Sequence, residues 1–252
     1  MNVQELQQEM HRDYAKNLGL DLEVSYLYGT PLRPVVPLDT ATGGLFILGA
    51  YPSAKFEVVK GVTDVPVADI SAPFENERWF DGSRVRRQPS ADELNELFLE
   101  PLSLDRSACW ITNLVKVFLF KPGHRERYKN EKIAATAPAG YTRERLFELG
   151  KNSLQWLEKE LVVAQPSYMI TLGAEVAGVL RETEVATAQT KLLRPETVTL
   201  KIGSFTVPAM HCAHPGILMR KGDPRNPWPE WHRDEFIPAL KQAQKEFGFL
   251  PK

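Results

Sequence analysis

Four short, mainly apolar segments constrain the fold of this chain more than any other feature of its sequence. Apolar runs of this length are typical of strands that are buried on both faces, as in a parallel sheet. Each run leads into a turn or a polar cluster, and patterns of helical period lie between the runs. This alternation predicts an open α/β sheet. The four segments are Leu45–Leu48, Cys109–Val117, Tyr168–Leu172 and Phe205–Met210.

Helical patterns lie before, between and after these segments. Residues 3–17 have apolar side chains spaced for one face of an amphipathic helix. Ser90–Glu93 is typical of a capping box that begins a helix ending near Leu99, and Thr142 is placed to cap a long helix. The other predicted helices are Ala174–Leu180 and about Arg233–Phe247.

The composition of the chain limits the classes of protein that it can belong to. Of 252 residues, 43% are hydrophobic and 25% are charged, as in a globular protein with a core. Cys109 and Cys212 are the only cysteines, which excludes a disulfide framework and a four-cysteine iron–sulfur or zinc site. The formal net charge is −1, so a surface that binds nucleic acid must be a local one.

The sequence predicts one domain over residues 1–252, with no cofactor. It divides into an N-terminal helix and arm over 1–44, a core over 45–220 and a C-terminal helix within 221–252. No run approaches the roughly 20 apolar residues of a membrane span. The first residues lack the basic and apolar regions of a secretory signal. We therefore expect a soluble, cytoplasmic protein that makes no membrane contact.

Ligands of open α/β sheets bind outside the carboxyl ends of the strands, so the residues there carry the most functional information. The first strand leads into Gly49–Ser53, a tight turn whose backbone N–H groups either face a ligand or simply leave the sheet. In the second segment, Asn113 is a polar residue within an apolar run. A buried amide must be hydrogen-bonded. Its partner is either a neighbouring loop or the edge of a nucleobase, which presents complementary groups.

A histidine and a proline turn follow the fourth segment. His214 is placed to donate a hydrogen bond to a leaving group that gains negative charge. Leu218 is an apolar side chain of the kind that enters the gap left by an extruded base. Metal binding by His211, Cys212 and His214 is disfavoured, because adjacent side chains of a strand point to opposite faces. The sequence therefore predicts no metal site.

Two clusters of basic residues lie outside these strand ends. Residues 121–132 contain five Lys or Arg and two Glu. Arg84, Arg86 and Arg87 form a smaller group. Such clusters contact phosphates when they lie beside a pocket, and are otherwise ordinary solvated loops. The sequence leaves both interpretations open.

Taken in order, these segments resemble the motifs of the uracil-DNA glycosylase superfamily, and most closely its thermostable bacterial and archaeal branch. That branch has a G-x-x-P-G turn after the first strand, a T-N-V-V-K strand, an A-L-G strand end and a final H-P-S-x-L-x-R. This chain has Gly49–Ser53, Thr112–Lys116, Thr171–Gly173 and His214–Arg220 in the same order. The resemblance implies a three-layer α/β/α fold with a short central parallel sheet of four strands.

The resemblance also implies a role for each motif. Asn113 would read a flipped-out base, and Gly49–Ser53 would line the base pocket. His214 would stabilise the base anion as the glycosidic bond breaks, and Leu218 would fill the gap in the duplex. An aromatic ring would stack on the base, with Phe74 as the first choice and Phe56 as the second. The residues expected to contact DNA are Lys116, Lys121, Arg125, Arg127, Leu218 and Arg220.

The chain departs from the family pattern in three ways. It lacks the cysteines for that branch's iron–sulfur cluster. Ala50 and Tyr51 occupy positions where relatives carry an acid or amide that positions water. Ser53 follows the motif proline, Pro52, where strictly uracil-selective members have tyrosine, so a bulky group at C5 of the base has room. Because Ala50 and Tyr51 carry no acid or amide, the acid that positions water is expected in residues 54–104. The candidates are Asp69 and Asp64, followed by Glu75, Glu77 and Asp81.

These features predict a monofunctional DNA glycosylase that cleaves the N-glycosidic bond of a modified pyrimidine and leaves an abasic site. The expected base is uracil or a cytosine with a bulky C5 group, such as glucosylated hydroxymethylcytosine of phage DNA, in repair or in phage defence. The alternative is a catalytically silent protein of the same fold that binds DNA or a nucleotide. An unrelated α/β enzyme is disfavoured, because neither a dinucleotide-binding fingerprint nor a P-loop is present. The expected partner is DNA with a modified base, and no obligate protein partner is implied.

Overall fold

A mostly parallel sheet of five strands lies at the centre of the protein, in a computed structural model that describes residues 1–19, 25–131, 142–182 and 191–250. Two separate hairpins lie beside this sheet. The strands are β1 (Leu45–Gly49), β2 (Ala54–Val59), β3 (Val62–Asp69), β4 (Asn76–Phe80), β5 (Val85–Pro89), β6 (Cys109–Asn113), β7 (Tyr168–Leu172), β8 (Val198–Ile202) and β9 (Phe205–Cys212). The helices are α1 (Val3–Asn17), α2 (Ser90–Leu94), α3 (Pro122–Asn130), α4 (Leu146–Ala164), α5 (Ala174–Leu180), α6 (Pro215–Leu218), α7 (Trp228–Trp231) and α8 (Ile237–Phe247).

The order of strands in the central sheet is β6-β1-β7-β9-β8. The first four are the predicted strands, and they run parallel. The fifth strand, β8, pairs antiparallel with β9 at the edge of the sheet. The α/β class is therefore confirmed, whereas the expected number of four strands is corrected to five. The prediction missed β8 because its burial alternates along the strand, without the continuous apolar run of a central strand.

Successive side chains of β1 enter two different hydrophobic clusters, as the two-residue period of a strand requires. Phe46 and Leu48 belong to a cluster that includes buried residues of α1 and α4. Leu45 and Ile47 belong to a second cluster that includes buried residues of α8. Helices therefore cover both faces of the sheet. Because both faces are buried, the carboxyl edge of the sheet is the place where polar groups can meet a ligand.

The strand boundaries differ from the predicted ones by a few residues. The second segment was expected to run to Val117, but β6 ends at Asn113. Leu114 and Val115 instead donate backbone hydrogen bonds to the carbonyls of Gly49 and Ala50 in the turn after β1. This pairing keeps the loops after the two strands together. The final strand is longer than predicted, since β9 continues to Cys212.

The predicted N-terminal helix is confirmed as α1, but the capping of the helix near Ser90 differs. Ser90 is the first helical residue of α2 rather than its cap. The side chain of Asn76 accepts the N–H groups of Ala91 and Asp92 at 2.9 and 3.3 Å, so a residue from β4 caps the helix. The segment continues as a π-helical turn over Asn95–Leu99.

The later helices also differ in detail from the sequence pattern. Thr142 precedes a 3₁₀ turn without forming a side-chain cap, and α4 begins at Leu146. The C-terminal helical segment begins earlier than predicted, with α7, and passes through a π-helical turn at His232–Phe236 into α8. Among the described residues, no helix combines the length and the apolar character needed to cross a bilayer.

Two hairpins, β2–β3 and β4–β5, fill the segment between the first two parallel strands and were not predicted. The β2–β3 pairing has register shifts, whereas β4–β5 pairs regularly from Asn76 opposite Pro89 to Phe80 opposite Val85. The rings of Phe56 and Trp79 lie 5.4 Å apart and join the two hairpins. Both hairpins therefore form one substructure beside the carboxyl edge of the sheet.

Candidate active site

A cavity of about 440 Å³ opens at the carboxyl ends of the parallel strands. Its walls come from the turn after β1, the end of β6, the loop after β9 and the two hairpins. Three of the sequence-predicted residues meet in it: Asn113, His214 and Phe74. The turn residues Ala50, Tyr51, Pro52 and Ser53 line it as well. Parts of the chain that are far apart in sequence thus converge on one site, as expected for this class of sheet.

Asn113 presents an unpaired hydrogen-bond donor in this cavity. It is the last residue of β6, pairs with Gly49 and is 2% exposed. Its Nδ2 has no hydrogen-bond partner among the described residues. A Cβ atom on Gly49 would lie 2.4 Å from Oδ1 of Asn113, so only glycine permits this approach. A buried donor without a partner carries a free-energy penalty, which a ligand with an acceptor oxygen or nitrogen would remove.

The ring of Phe74 lies beside the Asn113 amide. A Cβ atom on Gly49 would come within 2.7 Å of this ring, so the ring and the amide share the space that glycine leaves. Phe74 has φ +54°, an unusual backbone conformation for a bulky residue. Arg106 donates to the carbonyl oxygens of Pro73 and Phe74, and is itself paired with Asp39 at 2.6 Å. These contacts hold a flat apolar surface against a polar amide, an arrangement suited to an aromatic base.

The loop after β9 holds His214 in a defined tautomer. Its Nδ1 accepts the backbone N–H of Gly216 at 3.1 Å, at the start of α6. The neutral ring therefore carries its hydrogen on Nε2, which is left as a donor. The ring is accessible from the cavity, yet loss of hydration lowers its pKa, an effect that Glu175 opposes and Arg143 reinforces. His214 is thus a neutral donor at neutral pH.

Two acidic residues line the cavity among the described residues, and their surroundings differ. Glu175 on α5 is paired with Arg143 at 2.8 Å. Glu93 on α2 has neither an ion pair nor a hydrogen bond from a described residue, and partial burial is the main cause that raises its pKa. Glu96 and Asp92 raise the pKa further. Glu93 is therefore the carboxylate whose charge is not already neutralised by a neighbouring cation.

Three mutually packed rings form part of the cavity wall. Phe118 and His124 are stacked with ring centroids 5.9 Å apart, and Phe56 lies at the same distance from His124. Burial is the largest of the causes that lower the pKa of His124 to about 4, so the ring is neutral. Ser53 also lines the cavity, and its side chain is small.

The structure does not bring the expected acids to the cavity. Asp69 accepts hydrogen bonds from the Tyr26 hydroxyl at 2.5 Å and from the Arg33 N–H at 2.7 Å, and burial raises its pKa to about 6. Asp64 lies in β3 with φ +59°, and its carbonyl accepts from Arg127. The remaining candidates accept backbone N–H bonds within the hairpins and their connection: Glu75 from Ser71, Glu77 from Phe56, and Asp81 from Ser83 and Arg84. None of the five acids lines the cavity, and each is held by contacts within or beside the two hairpins.

The residue that was expected to enter the gap in the duplex, Leu218, is buried, and its neighbour is exposed instead. Leu218 is completely buried in the second hydrophobic cluster and faces no groove. Its neighbour Ile217 is 39% exposed and lines the cavity. One residue of a helix turns its side chain through about 100°, so the sequence motif alone does not fix which of the two faces outward. Ile217 is therefore the member of this pair that is exposed and lines the cavity.

The six residues expected to contact DNA fall into different places. Lys121 and Arg220 are exposed and line the cavity. Arg125 and Arg127 are partly exposed on α3 and do not line it. Lys116 cannot contact DNA, because it is completely buried and paired with Glu160 at 2.5 Å. Its Nζ also donates to the hydroxyl of Thr112 and to the carbonyl of Asn113, so it holds the backbone at the end of β6.

The residues weighed as metal ligands do not converge. His211 is buried, with Nδ1 bonded to the Thr171 hydroxyl at 2.7 Å, and Cys212 is fully buried. His214 lies apart from them in the cavity wall. Across residues 1–19, 25–131, 142–182 and 191–250, no group of three His, Cys, Asp or Glu side chains is arranged to hold a metal ion.

Sequence reasoning missed several residues that line the cavity. The sequence pattern assigns Glu93 to a capping box. It gives Glu175 and Arg143 no role, yet all three side chains line the cavity. Ile217 and His124 were passed over for their neighbours. The one signal available was the position of Glu175, two residues after the third strand end. No model of a known protein family matches this sequence, and no curated protein matches it either.

Proposed function

We propose that this protein is a DNA glycosylase that hydrolyses the N-glycosidic bond of a flipped-out, modified pyrimidine. One observation carries the proposal: the unpaired amide donor of Asn113 and the Nε2–H donor of His214 open onto one cavity beside the ring of Phe74. This combination supplies a stacking surface and two hydrogen-bond donors, which are what a flipped base requires. The resemblance to the uracil-DNA glycosylase superfamily supports the same interpretation, including a three-layer architecture to which β8 is an addition.

The donors suit the charge that develops during the reaction. As the C1′–N1 bond breaks, its electron pair passes to the base, whose carbonyl oxygen at C2 gains negative charge. A donor held in place before the reaction stabilises such a charge without reorganisation. The neutral His214 donates through Nε2, and Asn113 donates through Nδ2 to the edge of the base. Phe74 holds the base plane between these donors by stacking.

Glu93 is the carboxylate that we assign to the sugar side of the reaction. Loss of the base leaves an oxocarbenium-like sugar, which a nearby anion stabilises. A water molecule then adds to C1′ through its oxygen, and the carboxylate takes the proton that is released. The partial burial of Glu93 and its lack of a cationic neighbour support this role over Glu175, whose charge is already engaged by Arg143.

A small side chain and aromatic rings in the cavity wall support a base with a bulky C5 group as the substrate. Ser53 would leave room beside the base, and Phe56, Phe118 and His124 line the same cavity with flat surfaces on which a sugar ring can pack. Glucosylated hydroxymethylcytosine is therefore our first choice, and uracil is the second. The family alternative, a silent DNA- or nucleotide-binding protein, is favoured only by Ala50 and Tyr51 in place of the motif acid.

The direct test is base release from duplexes that carry uracil, hydroxymethylcytosine or its glucosylated form. Each duplex is incubated with the protein and then treated with alkali, which cuts the strand at an abasic site. We expect cleavage of the glucosylated duplex, and its loss in Asn113→Asp, because a carboxylate repels the base anion. If no modified duplex is cut while the protein binds DNA, the silent-binder alternative replaces the proposal.

A second test addresses Glu93. We expect Glu93→Gln to slow base release by about 10²–10⁴-fold, the range for loss of a general base. Because its pKa lies above the ordinary value of 4.5, the wild-type rate should fall as the pH drops through a value above 4.5, when the carboxylate is protonated. This part of the pH profile should disappear in the variant. The matched control is Glu100→Gln, since Glu100 is exposed, follows the same helical segment and does not line the cavity. Equal rates for both variants would exclude Glu93 as the base.

A further inference from the structure

The β4–β5 hairpin has one face on the protein and one face in solvent. On the inner face, Trp79 packs against Phe56 with ring centroids 5.4 Å apart, and Gln88 lines the cavity. The outer face carries alternate residues of both strands, in cross-strand pairs. The hairpin therefore stands at the rim of the candidate site, with its outer face free of the sheet.

Two arginines lie directly opposite each other on the outer face. Arg78 pairs with Arg87 across the hairpin, and both are exposed. Neither has an ion pair or a hydrogen bond to a described residue. Side chains in such a pair start from Cβ atoms about 4.5–5.5 Å apart, and like charges at this separation destabilise the pairing. The repulsion is relieved when an anion lies between or above the two guanidinium groups.

The last cross-strand pair before the polar Asp81–Arg84 turn is apolar and exposed, and it forms the apolar tip of the outer face. Phe80 and Val85 form the next pair along the same face, with 61% and 66% of their surfaces accessible. Arg84 lies beside them at the turn and is also exposed. A short ribbon with exposed apolar side chains at its end and arginines behind them matches the way in which strands enter a groove of DNA.

We propose that the outer face of the β4–β5 hairpin binds the backbone of duplex DNA next to the flipped base. Arg78 and Arg87 each contact a phosphate, and the Phe80–Val85 tip packs on the sugars at the edge of the groove. This inference rests on the proposed glycosylase function and adds a contact surface to it. Charge favours DNA over a protein partner, because an apolar partner that covered the tip would bury the arginine pair without an anion.

The hairpin would continue a line of positive charge that the cavity already has. Arg220 and Lys121 are exposed and line the opening, on elements that follow β9 and β6. Arg78 and Arg87 add two exposed cations on the outer face of the hairpin, whose inner face lines the same cavity through Gln88. A net charge of −1 is compatible with DNA binding only if cations are grouped in this way.

The experiment measures DNA affinity by fluorescence anisotropy as a function of salt. A short labelled duplex is titrated with wild-type protein and with the double variant Arg78→Gln/Arg87→Gln, between about 50 and 200 mM salt. Loss of two phosphate contacts should make the slope of log K against log salt shallower by about 1.8, which is about 30-fold weaker binding at 0.15 M. The control is Lys241→Gln/Lys245→Gln, which removes two exposed charges from α8 and should leave the slope unchanged.

The possible outcomes separate this inference from the proposed function. If the wild-type protein does not bind DNA at any salt concentration, the glycosylase proposal itself fails. If the wild-type protein binds and the arginine variant keeps both its affinity and its slope, only the hairpin inference is overturned. Sedimentation of wild-type protein and Phe80→Ala provides a further check. A dimer that is lost in Phe80→Ala, with unchanged DNA binding, would assign the tip to self-association instead.

Discussion

Replacement of His214 by alanine is expected to slow base release by about 10²–10³-fold, the usual effect of removing one donor to a developing anion. The hydrogen bond from the Gly216 N–H to Nδ1 fixes the orientation of the ring, so the Nε2–H donor is already in place before a ligand binds. Because the donor acts mainly on the charged transition state, the effect should fall on the rate rather than on DNA affinity. Single-turnover cleavage and anisotropy, measured on the same duplex, separate these two quantities.

The control for this variant is His11→Ala. His11 lies on α1, is exposed and does not line the cavity. Its replacement should change neither rate nor affinity. A His214→Ala protein that cleaves as fast as the wild type would remove the histidine from the mechanism, even if the glycosylase activity itself is present. Weaker DNA binding with an unchanged rate would instead assign His214 to substrate binding.

The substitution with the largest expected effect on stability is Lys116→Met. Lys116 and Glu160 are both fully buried, and burial lowers the pKa of the lysine while Glu160 opposes that shift. Removing one partner leaves the other charge buried without compensation, which typically costs about 3–5 kcal/mol. Urea unfolding followed by circular dichroism measures this loss directly.

Two further variants test the origin of that loss. The double variant Lys116→Met/Glu160→Leu removes both charges and should recover most of the stability, since well-packed apolar residues replace buried pairs at little cost. The exposed pair Lys221–Glu96 is the matched control, and Lys221→Met should change the free energy of unfolding by less than about 1 kcal/mol. Equal effects of Lys116→Met and Lys221→Met would show that the buried pair is not the source of stability.

The double variant also probes the site, because the Lys116 ammonium donates to the carbonyl of Asn113 at 2.6 Å. A folded protein with normal stability and weakened base release would assign the pair a positioning role. Normal base release would restrict the pair to the fold.

The parallel part of the fold was predictable because its strands are buried on both faces. Continuous apolar runs placed β1, β6, β7 and β9 within a few residues, and Asn113 was recognisable because it interrupts such a run. His214 was predictable from its place after the last parallel strand. These inferences depend on local pattern and on one general rule about sheets, and neither requires knowledge of long-range contacts.

The rest of the site depends on contacts between distant residues, which the sequence does not encode locally. Glu93 lines the cavity from a helix whose first turn is capped by Asn76, the first residue of β4. Asp69 is withdrawn because Tyr26 and Arg33 bind it. The exchange of Leu218 for Ile217 depends on the rotation of one short helix. In these cases the packing of the folded chain, and not the local sequence pattern, decides which side chain lines the cavity.

The cap that Asn76 provides joins the β4–β5 hairpin to α2, the helix that carries Glu93. Asn76 begins β4, its side chain accepts the N–H groups at the start of α2, and its amide donates to Asp92 at 2.8 Å. Glu93 follows within that first turn. If the β4–β5 hairpin shifts when it contacts DNA, the carboxylate of Glu93 would therefore move with it. The hydrogen bonds of Asn76 lie at the base of the hairpin, so we expect an insertion at the Asp81–Arg84 turn to leave the position of Glu93 unchanged and an insertion beside Asn76 to alter it.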